Sequence, residues 1–204
     1  NKEAEERIYE GETPGVSYGD IAERYYTVGQ YMKEVKDVSK AMAAAGDSYI
    51  CDEYLNAMGS PEAESVYVLH DLNNDGIEEF FIGLKFNYDI PYYVIYDVYT
   101  WKDGRAYQLM RGIGYRNGSC KICENGVIED NYSGSAWDGQ TLYHILPEGG
   151  IELETIDSVS SRRDGTVQSY YHWNELIDEN SLQTILEQYQ PESVTYVDCN
   201  RETI

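Results

Sequence analysis

What this chain lacks narrows it before anything it contains. It has no run of about twenty apolar residues, so no stretch is expected to span a membrane as a helix. Basic residues are scarce: 15 Lys and Arg face 37 Asp and Glu, for a formal net charge of -22. So acidic a surface repels phosphate backbones and anionic lipid, which argues against nucleic acid and membrane surfaces as partners. It favours cations and solubility. The phosphate loop, the dinucleotide fingerprint and the G-x-S-x-G elbow are all missing. The stretch "SGSAWDGQT", from Ser133, reads instead as a Gly/Ser-rich loop, with Trp137 either plugging the core or presenting its ring.

Cysteine is limited to Cys51, Cys120, Cys123 and Cys199. Cys120 and Cys123 form a C-x-x-C, but no second such pair or close His pair supplies a zinc site. The motif runs into Asn125-Gly126, a turn, where a redox motif would open a helix. A structural disulfide and buried free thiols remain as alternatives. Phe and Trp number three each, against 21 Tyr. Tyr suits a half-wet surface because its hydroxyl wants a partner, so the excess points to sheets with one exposed face.

What is present sorts into helix, then strand, then helix. The stretch "GDIAERYYTVGQYMKEVKDVSKAMAAAG" has Asp20 as a candidate cap and Gly46 as a stop. Ile21, Tyr25, Val28, Met32 and Val35 make one apolar stripe at helical spacing. A shorter helix is expected from Asp47 to Gly59. From residue 64 short alternating strands alternate with tight turns. Asp103-Gly104, Asn125-Gly126 and Asp164-Gly165 mark hairpin tips. Asn180 or Ser181 caps a last helix that stops at Pro191, and "SVTYVD" adds an edge strand. These signals predict an α+β fold: N-terminal helices packed on a twisted antiparallel β-meander, with a short C-terminal helix. The expected divisions are a flexible tail over 1–18 and one domain over 19–204. Within that domain fall helices over 20–59, the meander over 64–174 and the C-terminal helix over 180–190.

One stretch carries readable chemistry. In "HDLNNDGIEEFFIG", His70 to Gly83, oxygen-bearing side chains recur at Asp71, Asn73, Asp75 and Glu79, with Gly76 at the sharp turn. Ile77 offers a carbonyl. Calcium takes six to eight oxygens at flexible geometry, and alternate positions of a curled loop point inward together. An EF-hand is excluded, because its twelfth position needs a bidentate acid and here holds Ile82. Without a metal, the same Asx and Gly residues build a tight turn.

Over Val66 to Leu84 the stretch resembles the short calcium loops of FG-GAP and VCBS-type repeats, in which D-x-[DN]-x-D-G-x-x-[DE] joins two strands. A propeller needs several copies and this chain has one. The resemblance therefore implies a structural calcium ion on Asp71, Asn73, Asp75, Ile77 and Glu79, not a propeller fold. More loosely, the layout resembles uncharacterised exported proteins of gut Firmicutes. That implies an extracellular or cell-surface location, with lipid anchoring through a removed N-terminal segment.

No catalytic constellation stands out. The expected function is a non-catalytic binding module for a surface glycan or protein. Candidate contacts are Tyr92, Tyr96, Trp101, Trp137 and Trp173, rings that offer broad contact at low entropy cost. The alternative is an extracellular hydrolase of a glycan or peptide polymer, pairing an acid such as Glu79 or Asp138 with a histidine such as His144. Such an enzyme would reveal itself as a His–carboxylate pair in a cleft.

Overall fold

The computed structural model describes residues 8–12, 17–45, 49–114, 120–133, 137–147, 150–160 and 168–200. The chain is α+β, with helices and two antiparallel six-stranded sheets in two compact units. Residues 72–75 and 116–193 form the second unit, and the rest form the first. The one continuous meander expected over 64–174 is therefore two, because no strand of one sheet pairs with a described strand of the other.

The first unit begins with β1 (Ile8–Glu12) and α1 (Tyr18–Val35). The expected tail thus contributes an edge strand: β1 pairs with β5 (Arg105–Met110), whose open backbone edge needs a partner. Helix α1 starts one turn earlier than the sequence suggests. Ser17 is the cap, and Asp20 is the third helical residue, reaching back to the Ser17 backbone in a capping box. The long predicted helix breaks at Lys36, in a left-handed conformation, and resumes as α2 (Val38–Ala45). Helix α3 (Asp52–Met58) is capped by Cys51 and ends at Gly59. Gly46 and Asp47, the expected stop and cap, lie outside the described residues.

Four further strands, β2 (Ala63–His70), β3 (Glu79–Phe86), β4 (Tyr92–Lys102) and β12 (Val197–Asp198), complete the sheet in the order β1-β5-β4-β3-β2-β12. The C-terminal edge strand read from "SVTYVD" is there, paired with β2. Ile21, Tyr25, Val28 and Met32 of α1 pack with Tyr54 and Leu55 of α3 against Phe80, Ile82 and Leu84 of β3.

The tyrosines do not behave as expected. Tyr25, Tyr54 and Tyr99 are wholly buried, and each hydroxyl is satisfied inside the core. Tyr25 donates to Asp97 Oδ2 at 2.5 Å and lies 2.8 Å from the Tyr99 hydroxyl. Gln108 Nε2 donates to Tyr99 at 3.0 Å, and Gly112 N donates to Asp97 Oδ1 at 2.8 Å. Burial pushes the Asp97 carboxyl up to about 6, although the bonds from Tyr25 and Gly112 oppose it.

The second unit is a plain meander. Its sheet runs β6 (Cys120–Cys123), β7 (Val127–Ser133), β8 (Trp137–Ile145), β9 (Ile151–Ser160), β10 (Gln168–His172) and β11 (Glu175–Ile177), each strand beside the next in sequence. The Asp164-Gly165 turn lies outside the described residues. Helix α4 (Glu179–Leu186), capped by Asp178, lays Leu182, Ile185 and Leu186 over Val127, Leu142 and Ile156. The cysteine alternatives resolve to thiols: all four are free and buried. Cys120 and Cys123 share a strand, where positions three apart face opposite sides.

Candidate functional site

The predicted metal loop joins β2 to β3. Asp71 Oδ2 accepts from Gly76 N at 2.9 Å, and Asn73 Oδ1 accepts from Asp75 N at 3.1 Å. Asn74 and Gly76 take the left-handed backbone that this turn requires. The Asn73 amide nitrogen donates to the Leu146 carbonyl at 3.0 Å. Ile77 is exposed. Glu79 is fully buried at the start of β3, where Oε1 accepts from Thr100 at 3.1 Å. As placed, these side chains close a hydrogen-bonded turn. Among the described residues, no three His, Cys, Asp or Glu side chains gather to hold a metal ion.

The predicted contact residues divide. Tyr92 is exposed at the β3–β4 turn and joins a group of near-parallel rings. Its centroid lies 4.9 Å from Phe86 and 5.9 Å from Tyr88, and no two of the three planes differ by more than 17°. Tyr88 is 49% exposed, Tyr92 47% and Ile90 83%, with Asp89 exposed between them. Tyr96 is core, a correction to its expected place on a ligand face. It is the unpaired residue of a bulge: Ile82 pairs with Asp97 and Gly83 with Ile95, so the alternation slips by one. Its ring meets Tyr54 edge-on. Trp101 is half-buried against Tyr18. Trp137 begins β8, and its side chain lies outside the described residues.

A constellation not read from the sequence sits on the second sheet. Glu154 of β9 is held from three sides. His144 Nε2 lies 2.9 Å from Oε2, His172 Nε2 lies 2.6 Å from Oε1, and the Tyr189 hydroxyl donates to Oε2 at 2.7 Å. Register explains the meeting. His144 pairs with Glu152 and His172 with Ile156, so Glu154 is the diagonal neighbour of both on one face. Burial alone would raise the Glu154 carboxyl, but the bonds from Tyr189, His144 and His172 outweigh it and hold the group below the usual range. An ionised Glu154 can only accept, so each imidazole presents its Nε2–H and leaves Nδ1 as a lone-pair acceptor. Neither Nδ1 has a hydrogen-bond partner among the described residues. Both rings are about a quarter exposed, at 26% and 25%. Neither Glu79 nor Asp138 makes a described hydrogen bond to His144, so the pairs expected of a hydrolase are not the ones formed.

Trp173 stands at the rim of this group, 6.0 Å from His172 between ring centroids and 49% exposed. His172 pairs with Glu175, so Trp173 and Asn174 form the whole two-residue turn, with φ of 54° and 63°. Such a turn normally takes Asn-Gly. Left-handed backbone costs a non-Gly residue roughly 1–2 kcal/mol, least for Asn, so the Trp carries the strain.

No family model, no curated protein and no solved structure matches this chain.

Proposed function

We propose that the chain is an exported, non-catalytic binding module that engages a surface glycan through the β3–β4 turn. One observation carries the reading: Tyr88 and Tyr92 are half-exposed and nearly parallel, with Phe86 packed behind them. Such rings take up the apolar face of a sugar at low entropy cost, and the exposed Asp89 can accept its hydroxyls. The acidic surface selects against anionic polymers. The test is binding to a panel of immobilised neutral glycans by the native protein and by a Tyr88→Ala/Tyr92→Ala variant. The expected result is binding to at least one glycan, reduced about tenfold or more in the variant, with an unchanged thermal midpoint. Binding that survives the double substitution, or a panel with no binder, overturns it.

The loop from Asp71 to Glu79 serves this module as a calcium staple, exchanging internal hydrogen bonds for ligand bonds. The support is the spacing of Asp71, Asn73, Asp75, Gly76 and Glu79, and the affinity suited to that role is on the order of 10⁻⁴–10⁻³ M. A thermal midpoint raised by millimolar calcium, lowered by chelator and insensitive to both in Asp75→Ala is the expected outcome. A midpoint indifferent to calcium in the native protein removes the ion from the account.

A further inference from the structure

We propose that His144, His172 and Trp173 form a second ligand site, on the second unit, that takes a neutral polyhydroxylated ring. The site follows from what Glu154 does to the two imidazoles. Its carboxylate binds both through Nε2, so the rings are held in one orientation and one tautomer. What they offer outward is a pair of acceptors with no described partner. A ligand must therefore bring donors. Beside them the Trp173 indole offers a broad apolar face, which calls for a ring with one face of C–H groups. Anions are disfavoured by Glu154 itself and by Glu152 and Glu175, the strand partners of His144 and His172. Hydroxyl donors, an apolar face and no negative charge together describe a sugar ring.

The turn supplies an independent argument. A two-residue hairpin is best served by Asn-Gly, yet the left-handed first position holds the bulkiest side chain available. Nothing in the described core packing accounts for it, because the indole is half in solvent. Strain tolerated at an exposed position beside unsatisfied acceptors is the pattern of a functional site.

The site is independent of the Tyr88–Tyr92 face, so the experiment uses the Tyr88→Ala/Tyr92→Ala protein as background. Neutral monosaccharides are titrated into it while the ring signals of His144 and His172 are followed by ¹H–¹⁵N NMR, together with tryptophan emission. The expected result is a saturable shift of both histidines with at least one sugar, and Nε2–H tautomers before addition. Adding Trp173→Gly is expected to abolish the shift while keeping or raising the thermal midpoint, since glycine relaxes the turn. Adding Glu154→Gln is expected to weaken binding at least tenfold, as at least one imidazole loses its fixed tautomer. The absence of any saturable shift across the panel overturns the proposal. So does binding that persists in the folded Trp173→Gly protein, or a resting tautomer with the proton on Nδ1.

Discussion

The hydroxyl of Tyr25 donates to Oδ2 of Asp97 at 2.5 Å, in the middle of a core that holds no described basic partner against that carboxylate. The pairing sets an unusual pH response. Burial raises the folded Asp97 carboxyl to about 6, above its ordinary 3.8. Between those values the native state binds more protons at this group than the unfolded chain does. Stability from Asp97 is therefore greatest below about pH 4, declines as pH rises to about 6, and is flat above it. The span is on the order of 3 kcal/mol. Urea unfolding of the native protein and of Asp97→Asn at pH 4, 5, 6 and 7.5 checks this. The deficit of the variant should be larger at pH 4 than at pH 7.5, and an equal deficit throughout refutes it.

Gly83 is fixed by backbone, not by any ion. A Cβ there would stand 2.2 Å from the carbonyl oxygen of Val94, across the bulge that displaces Tyr96. The obstructing atom belongs to the neighbouring strand and cannot swing aside. Gly83→Ala should cost about 3 kcal/mol, near the upper end for overpacking. Calcium should not rescue it. Denaturant midpoints with and without the ion decide the matter.

Some of this fold was legible and some was not, for physical reasons. Asp103-Gly104 forms the predicted tip of the β4–β5 hairpin, both residues left-handed, because a two-residue turn needs that chemistry locally. The α1 stripe from Ile21 to Met32 was readable because helical periodicity is local too. Tyr96 misled because a bulge shifts the strand alternation, and no neighbour in sequence announces a bulge. The buried tyrosines misled because their hydroxyls are satisfied by Asp97, Ser65 and Gln108, which only the tertiary structure brings close. His144, Glu154 and His172 are separated by 10 and 18 residues, and strand register alone makes them neighbours. Alternation places Glu154 on the face of Leu142 and Ile156, so an acid in an otherwise apolar register was the one available signal.

The thiols should be inert in the folded protein. Cys51 and Cys120 lie wholly within apolar surroundings, and burial pushes both well up; Cys123 rises to about 11 and Cys199 to about 12 for the same cause. The thiolate is the reactive form, so alkylation at pH 8 should be slow for all four. Mass spectrometry after iodoacetamide should show no rapid addition to native protein and four additions in denaturant without reductant. Fewer than four in denaturant would mean a disulfide.

Tyr189 ties the segment after α4 to the second sheet through Glu154, and that tie should report in acid. The carboxyl is held below its usual range, so its stabilisation is present above about pH 4.5 and is lost as pH falls through the folded value. Tyr189→Phe removes one of the three bonds and brings the folded value closer to the unfolded one. The acid-unfolding midpoint, followed through the tyrosine and tryptophan signals, should therefore move to higher pH. An unmoved midpoint would mean that the tie carries no stability.

The turn at Trp173 and Asn174 offers the clearest conflict between stability and use. Both positions are left-handed, and the pairing of His172 with Glu175 leaves no third residue to absorb the strain. Replacing the pair by Asn-Gly supplies residues that adopt those angles readily, and it should stabilise the second unit by roughly 1 kcal/mol. The indole is half-exposed, so little buried apolar area is lost with it. If the Trp were merely structural, its removal should destabilise the protein through lost contacts with His172. If it is kept for a ligand, the Asn-Gly protein should melt higher and yet lose the saturable sugar response of His144 and His172. Calorimetry and the NMR titration on the same sample separate the two. A lower melting temperature in the Asn-Gly protein would show that the strain is repaid inside the fold.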